Sequence, residues 1–267
     1  MTSRSSTMNI LALSFILTAS AYGIYLTTPH KDQSSCEVVI EVCIALEPDS
    51  GTAADLGALS RHVAHDSIFT LDREDRRLQF APHLTLYQCA LKARDLDKAA
   101  LMLKRAASSS SVITTGPGLY RYNAERSVEV YWKDYSSLLS HLQGNVIESL
   151  NSLRKNLQIE RDPAGNCVET MLGFESVYRG KEEERVKNLR EYGFAEGIQL
   201  FNPHVTLGWF ENGEDKQHGD YPCKQTIVRR LAELVDMPSS FTFNSIAMYA
   251  LGPHGTCPQR LSYHPLR

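Results

Sequence analysis

The chain has no excess of basic residues: 28 Lys and Arg stand against 31 Asp and Glu, for a formal net charge of −3. That excludes a broad positive footprint for duplex nucleic acid, though not a local basic cleft for a nucleotide or a short strand. The six cysteines, Cys36, Cys43, Cys89, Cys167, Cys223 and Cys257, contain no C-x-x-C pair and no zinc-ribbon spacing, so the common structural zinc sites are excluded. Disulfides and buried free thiols both remain open. His62 and His65, with Asp66 beside them, match no established zinc motif and read as a solvated helix face. No metal and no cofactor is expected.

Charge is also missing from Met8 to Leu26, and Arg4 stands before that run. Ile10 to Leu17 is an apolar core of signal-peptide length, and Ala19-Ser20-Ala21 is an A-x-A cleavage pattern. Residues 8–26 are also near the length that spans a bilayer. Residues 1–34 are therefore expected to form a signal peptide or membrane anchor plus a linker. Residues 35–267 are expected to form the folded domain, secreted, periplasmic or held at a membrane. With 42% hydrophobic residues, the chain can bury a full core.

What the sequence does contain, it contains twice. Phe80 to Leu86 read F-A-P-H-L-T-L, and Phe201 to Leu207 read F-N-P-H-V-T-L. Six of the seven positions agree when Leu84 and Val205 are taken as equivalent; the seventh sets Ala81 against Asn202. In a strand, alternate side chains share a face. His83 and Thr85 then share one face and Leu84 and Leu86 the other, and His204 and Thr206 likewise oppose Val205 and Leu207. Each strand has an apolar side for a core and an imidazole-plus-hydroxyl side for chemistry. The proline before each histidine cannot donate to a ladder, which suits a strand's first residue.

Around these copies, Cys36–Leu46, Val112–Tyr122 (broken at Gly116-Pro117-Gly118), Arg126–Tyr135, Phe241–Leu251 and Arg260–Leu266 read as strands. The motif strands are expected over Gln79–Leu91 and Gln199–Phe210. Ala53–His65, Asp95–Ala107, Ser136–Asn156, Lys181–Tyr192 and Gln225–Val235 carry helical apolar spacing. Each motif is followed by helix, strand, turn and strand, a second sign of internal duplication. The expectation is two related α+β lobes, each presenting one H-x-T strand to a shared cleft.

Two histidines on opposite walls of a cleft suit acid–base chemistry at a phosphodiester. An imidazole titrates near pH 6.5, so one ring can take a proton from the attacking water or hydroxyl while the other gives one to the leaving oxygen. The threonine hydroxyls can donate to the non-bridging phosphate oxygens, where charge builds. By the period of two, Tyr87 and Phe210 fall on the histidine side and are candidate substrate contacts, with base stacking and rim packing both open. Gly208 on the same side would leave room. Spacing selects no basic residue for the phosphate.

The paired P-H-x-T-L strands resemble the two-histidine (2H) phosphoesterase superfamily. That superfamily includes bacterial 2′-5′ RNA ligase-like proteins, RNA 2′,3′-cyclic phosphodiesterases and exonucleases that process a spliceosomal small nuclear RNA. The resemblance implies a bilobal, pseudo-twofold α+β fold with two antiparallel sheets around a central groove. It also implies His83 and His204 as the catalytic pair and Thr85 and Thr206 as phosphate ligands. The expected activity is metal-independent hydrolysis of a 2′,3′-cyclic phosphate or of a 2′-5′ or terminal RNA linkage. The expected partner is a nucleotide or short RNA, with no duplex DNA, met by a monomer with or without a membrane tether. The alternative is an exported or tethered nucleotide- or RNA-binding module without turnover.

Overall fold

A computed structural model describes residues 38–65, 81–122, 127–154, 181–209, 228–229, 231–233, 236–252 and 256–267. The segment 8–26, three cysteines (Cys36, Cys167 and Cys223), Phe80 and Phe210 lie outside the described residues. Among the described residues no helix is long and apolar enough to cross a membrane.

The fold is α+β, with two antiparallel sheets. The centre of the larger sheet is β1 (Val39–Pro48), whose two faces are both covered. Val42, Ile44 and Leu46 point into the main core, while Cys43 and Ala45 join Ala247, Tyr249, Leu251 and Cys257 on the other face. This is why the run reads as continuously apolar rather than alternating. Full burial of one such aliphatic side chain contributes about 2 kcal/mol. The helix α1 (Ser50–His65) follows directly. Asp49 caps its start by accepting a 2.8 Å hydrogen bond from the Thr52 amide.

The first motif strand is β2 (Leu84–Lys92). It is followed by α2 (Leu96–Ser108), then β3 (Ile113–Thr115), β4 (Leu119–Tyr122) and β5 (Ser127–Tyr131). Two helices come next, α3 (Ser137–Arg154) and α4 (Glu182–Tyr192). The second motif strand is β6 (His204–Trp209), and β7 (Phe241–Ala250) and β8 (Gln259–Pro265) close the chain. Both motif strands begin at or after the histidine, so they start later than the sequence suggests.

The larger sheet has the order β2-β1-β7-β3, with β8 also pairing with β7; the smaller has the order β4-β5-β6. The Gly116-Pro117-Gly118 break therefore does more than interrupt a strand: it carries the chain from one sheet to the other. A Cβ on Gly118 would lie 2.2 Å from Val130 Cγ1, so only glycine permits the crossing there. The sheets are not contiguous in sequence, as two consecutive lobes would be. After the second motif, β7 and β8 return to the first sheet: β7 pairs along β1, its buried side chains joining both cores, and β8 pairs with β7.

The helices cross over as well. α3, from the smaller sheet's side of the chain, packs behind β2, and α1, which follows β1, packs behind β6. Each motif strand thus rests on a helix that leaves the other sheet.

Candidate active site

Each H-x-T strand is interrupted at the same place. β1 pairs Ile44 with Tyr87 and Ala45 with Thr85, leaving Leu86 as an extra residue. β5 pairs Val128 with Gly208 and Glu129 with Thr206, leaving Leu207 as the extra residue. The bulged residue is the last leucine of the motif in both copies. A bulge inserts one residue and shifts the alternation that follows it. The freed carbonyl of Leu86 is met by the buried Gln143 of α3, whose side-chain amide donates to it at 3.2 Å and to the Glu196 carbonyl at 3.1 Å.

This bulge corrects the expectation for Tyr87. Strict alternation would place Tyr87 beside His83 and Thr85. Instead its ring is fully buried against Phe194, and its hydroxyl donates to the Tyr192 carbonyl at 2.5 Å. Tyr87 is a core residue, not a substrate contact. Burial pushes its phenol well above the ordinary range. Phe210 lies outside the described residues, and Gly208 is buried.

The two histidines are held alike. His83 Nδ1 lies 3.2 Å from the Ala81 carbonyl, and His204 Nδ1 lies 2.8 Å from the Asn202 carbonyl. A carbonyl oxygen only accepts, so each Nδ1 carries a proton and Nε2 is the nitrogen left to take up or give one. The carbonyl belongs to the residue before the motif proline in both copies. Both rings are partly exposed, as are Thr85 and Thr206. β2 and β6 come into contact between the two sheets.

The neighbours of the two rings differ. Beside His204 stands Glu129, 1% exposed, with Oε1 at 3.9 Å from Nε2. The same oxygen accepts from the Ser127 hydroxyl at 2.7 Å, and Oε2 accepts from Arg121 at 2.9 Å and 2.5 Å. Burial alone would raise the Glu129 carboxyl; the His204 ring, Arg121 and Ser127 outweigh it and hold it below the ordinary range. Arg121 also donates to Asn202 Oδ1 at 3.0 Å and lies over the Tyr131 ring at 4.6 Å. A buried carboxylate, an arginine and the motif asparagine thus brace the second histidine.

Beside His83 there are thiols. Cys257 Sγ is 3.3 Å from Nε2, and Cys43 Sγ is 3.7 Å from Thr85 Oγ1. Cys43, Cys89 and Cys257 are all free and buried. A hydrogen bond from Cys257 holds the Cys43 thiol below its ordinary range against the burial that raises it, with His83 and Thr85 adding to the effect. Cys257 is held well above by burial and by its bond to Cys43. The Tyr249 ring sits 6.3 Å from the His83 ring, and its hydroxyl bonds to Glu47. Arg260 pairs with Glu47 at 3.0 Å.

Sequence reading singled out the histidines and threonines; it did not single out Glu129, Cys43 or Cys257, which the fold sets beside them. Glu129 carried one signal: it is the charged residue in S-V-E-V-Y, between two buried valines on a strand's other face. Cys43 and Cys257 carried none, because only the folding of β1 against the chain's last strands joins them. His62 is exposed, and His65's side chain lies outside the described residues.

No protein-family model matches the chain, and none of the curated proteins does. Among solved structures it is similar to one described as a phosphoesterase, at 13% identity and TM-score 0.47, covering 85% of this chain and 98% of that one. It is similar to LigT of E. coli complexed with phosphate, at 13% identity and TM-score 0.44, covering 85% and 98%. It is also similar to Usb1 of Kluyveromyces marxianus, at 14% identity and TM-score 0.39, covering 85% and 97%.

Proposed function

We propose that the chain is a metal-independent phosphodiesterase of the two-histidine kind. It hydrolyses a 2′,3′-cyclic phosphate or a 2′-5′ or terminal RNA phosphodiester, with His83 and His204 as the acid–base pair on the two walls of one cleft. One observation carries the reading: two separate P-H-x-T-L strands hold their histidines in the same tautomer by the same backbone contact and bulge one residue after the threonine. A duplicated, pseudo-twofold pair of walls accounts for both.

The surroundings favour one division of the roles. A protonated His204 forms an ion pair with Glu129, which makes it the proton donor. His83, whose Nε2 faces the Cys257 thiol, is the acceptor. Its Nε2 takes a proton from the attacking water as the oxygen bonds to phosphorus. His204 gives its Nε2 proton to the leaving oxygen as the P–O bond breaks. Thr85 and Thr206 donate to the non-bridging oxygens, whose charge grows in the transition state. The exported or membrane-tethered setting belongs to the same proposal and rests on residues 8–26; N-terminal sequencing of the mature chain tests it.

The test of the activity is hydrolysis of nucleoside 2′,3′-cyclic phosphates and a 2′-5′ dinucleotide in EDTA, with His83→Ala and His204→Ala alongside. Turnover in chelator, lost in both folded variants, is the expected result. Nucleotide binding without turnover would make the chain a binding module instead.

A further inference from the structure

Cys43 Sγ, Cys257 Sγ and His83 Nε2 all lie within 4.8 Å of one another. Around one tetrahedral zinc ion, sulfurs stand about 3.8 Å apart and a sulfur and an imidazole nitrogen about 3.5 Å apart. The 3.3 Å between Cys257 Sγ and His83 Nε2 is within a few tenths of an ångström of that. The ring is already oriented as a metal ligand's would be: its other nitrogen donates to the Ala81 carbonyl, fixing the tautomer that aims Nε2 at the two sulfurs. Both cysteines are free. Two thiolates and a neutral imidazole neutralise a divalent ion, so a buried complex carries no net charge. His83 is partly exposed, which leaves a way in and an open fourth position.

We propose that Cys43, Cys257 and His83 form a binding site for a thiophilic divalent ion, zinc above all, and that the bound ion switches the phosphodiesterase off. Coordination replaces the two thiol protons and occupies the Nε2 lone pair. In the reading above, that lone pair receives the proton of the attacking water. Metal binding and catalysis therefore exclude each other at one atom. Among the described residues no such cluster lies beside His204, which faces Glu129. The inhibitory half of this proposal rests on the proposed activity; the binding half does not.

The experiment uses the reduced full chain in chelator-treated buffer. Cobalt(II) is added first, as a spectroscopic stand-in, and then zinc(II) in competition with a chromophoric chelator. The expected result is one ion per chain and a thiolate-to-cobalt charge-transfer band in the near ultraviolet. Cys43→Ser and Cys257→Ser should each remove the band and weaken zinc binding by at least about 10–100-fold, the loss that removing even an outer-shell partner brings. Cys89→Ser, whose thiol lies in the main core, should keep both the band and the wild-type rate. Hydrolysis of a 2′,3′-cyclic phosphate should fall with zinc at the same midpoint as binding and return with EDTA. No band and no stoichiometric zinc, binding that survives in both cysteine variants, or a Cys43–Cys257 disulfide in the purified chain would each overturn the site. Stoichiometric binding with undiminished turnover would overturn the inhibitory half. A chain that binds zinc and hydrolyses nothing would remove the proposed activity and leave the site standing.

Discussion

The two motif strands share a backbone and differ in company. On the second wall, His204 stands by a buried Glu129 that Arg121 and Ser127 hold ionised. On the first, His83 stands by two buried thiols. The one motif position that differs follows the same division. Asn202 offers its side-chain oxygen to Arg121 and its carbonyl to His204, so it links the ion pair to the ring. Ala81 is exposed and offers only its carbonyl. The duplicated residues give each imidazole the same backbone contact, and the unduplicated ones give it different neighbours. In the proposed reaction that difference separates the acid from the base.

The hardest way to break this contrast is to empty the charged wall. Glu129→Ala leaves the Arg121 guanidinium, 14% exposed, without its carboxylate, and should cost about 3–5 kcal/mol in urea denaturation. Cys43→Ala on the other wall strands no charge and should cost about 1–2 kcal/mol. Equal losses would mean that the walls do not differ as described. The charged wall also responds to pH. The Glu129 carboxyl titrates lower in the fold than in the unfolded chain. Its contribution is therefore complete above the unfolded value of about 4.3 and is lost as pH falls through the lower folded value. Glu129→Gln should flatten that acid limb of the stability curve.

The threonines test what the walls have in common. Thr85→Val and Thr206→Val should each lower kcat by about 10²-fold, roughly 2.7 kcal/mol, with little change in stability. A large effect at one and none at the other would confine phosphate contact to a single wall. The helices behind the strands test each wall separately. Gln143→Ala removes the donor to the Leu86 carbonyl and should cost about 1–3 kcal/mol, with amide exchange rising first in β2. Asp49→Ala removes the cap of α1, the helix behind β6, and should cost about 1 kcal/mol with the rise in β6.

Much of this was legible in the sequence, because local patterns encode it. The period of two placed His83 with Thr85 and His204 with Thr206. Helical spacing located α2 and α4 to within a residue or two. The bulge was not legible, since an extra residue shows only when a partner strand fixes the register, and so Tyr87 was assigned to the wrong face. The return of β7 and β8 to the first sheet was hidden for the same reason. So was the meeting of Cys43 with Cys257, which long-range pairing alone brings about. Glu129 lay in a segment that reads as a strand, but its pairing with Arg121 on β4 depends on the register of the two strands, which spacing alone does not give.

The most direct test of the central claim is a double-mutant cycle on the histidines, with the rate of 2′,3′-cyclic phosphate hydrolysis measured in EDTA. Two groups that act as one acid–base unit are strongly non-additive. His83→Ala and His204→Ala should each lower kcat by about 10²–10⁴-fold, and the double variant should be no slower than the slower single. Wild-type turnover in either single variant, or losses that simply multiply in the double, would contradict the two-histidine mechanism.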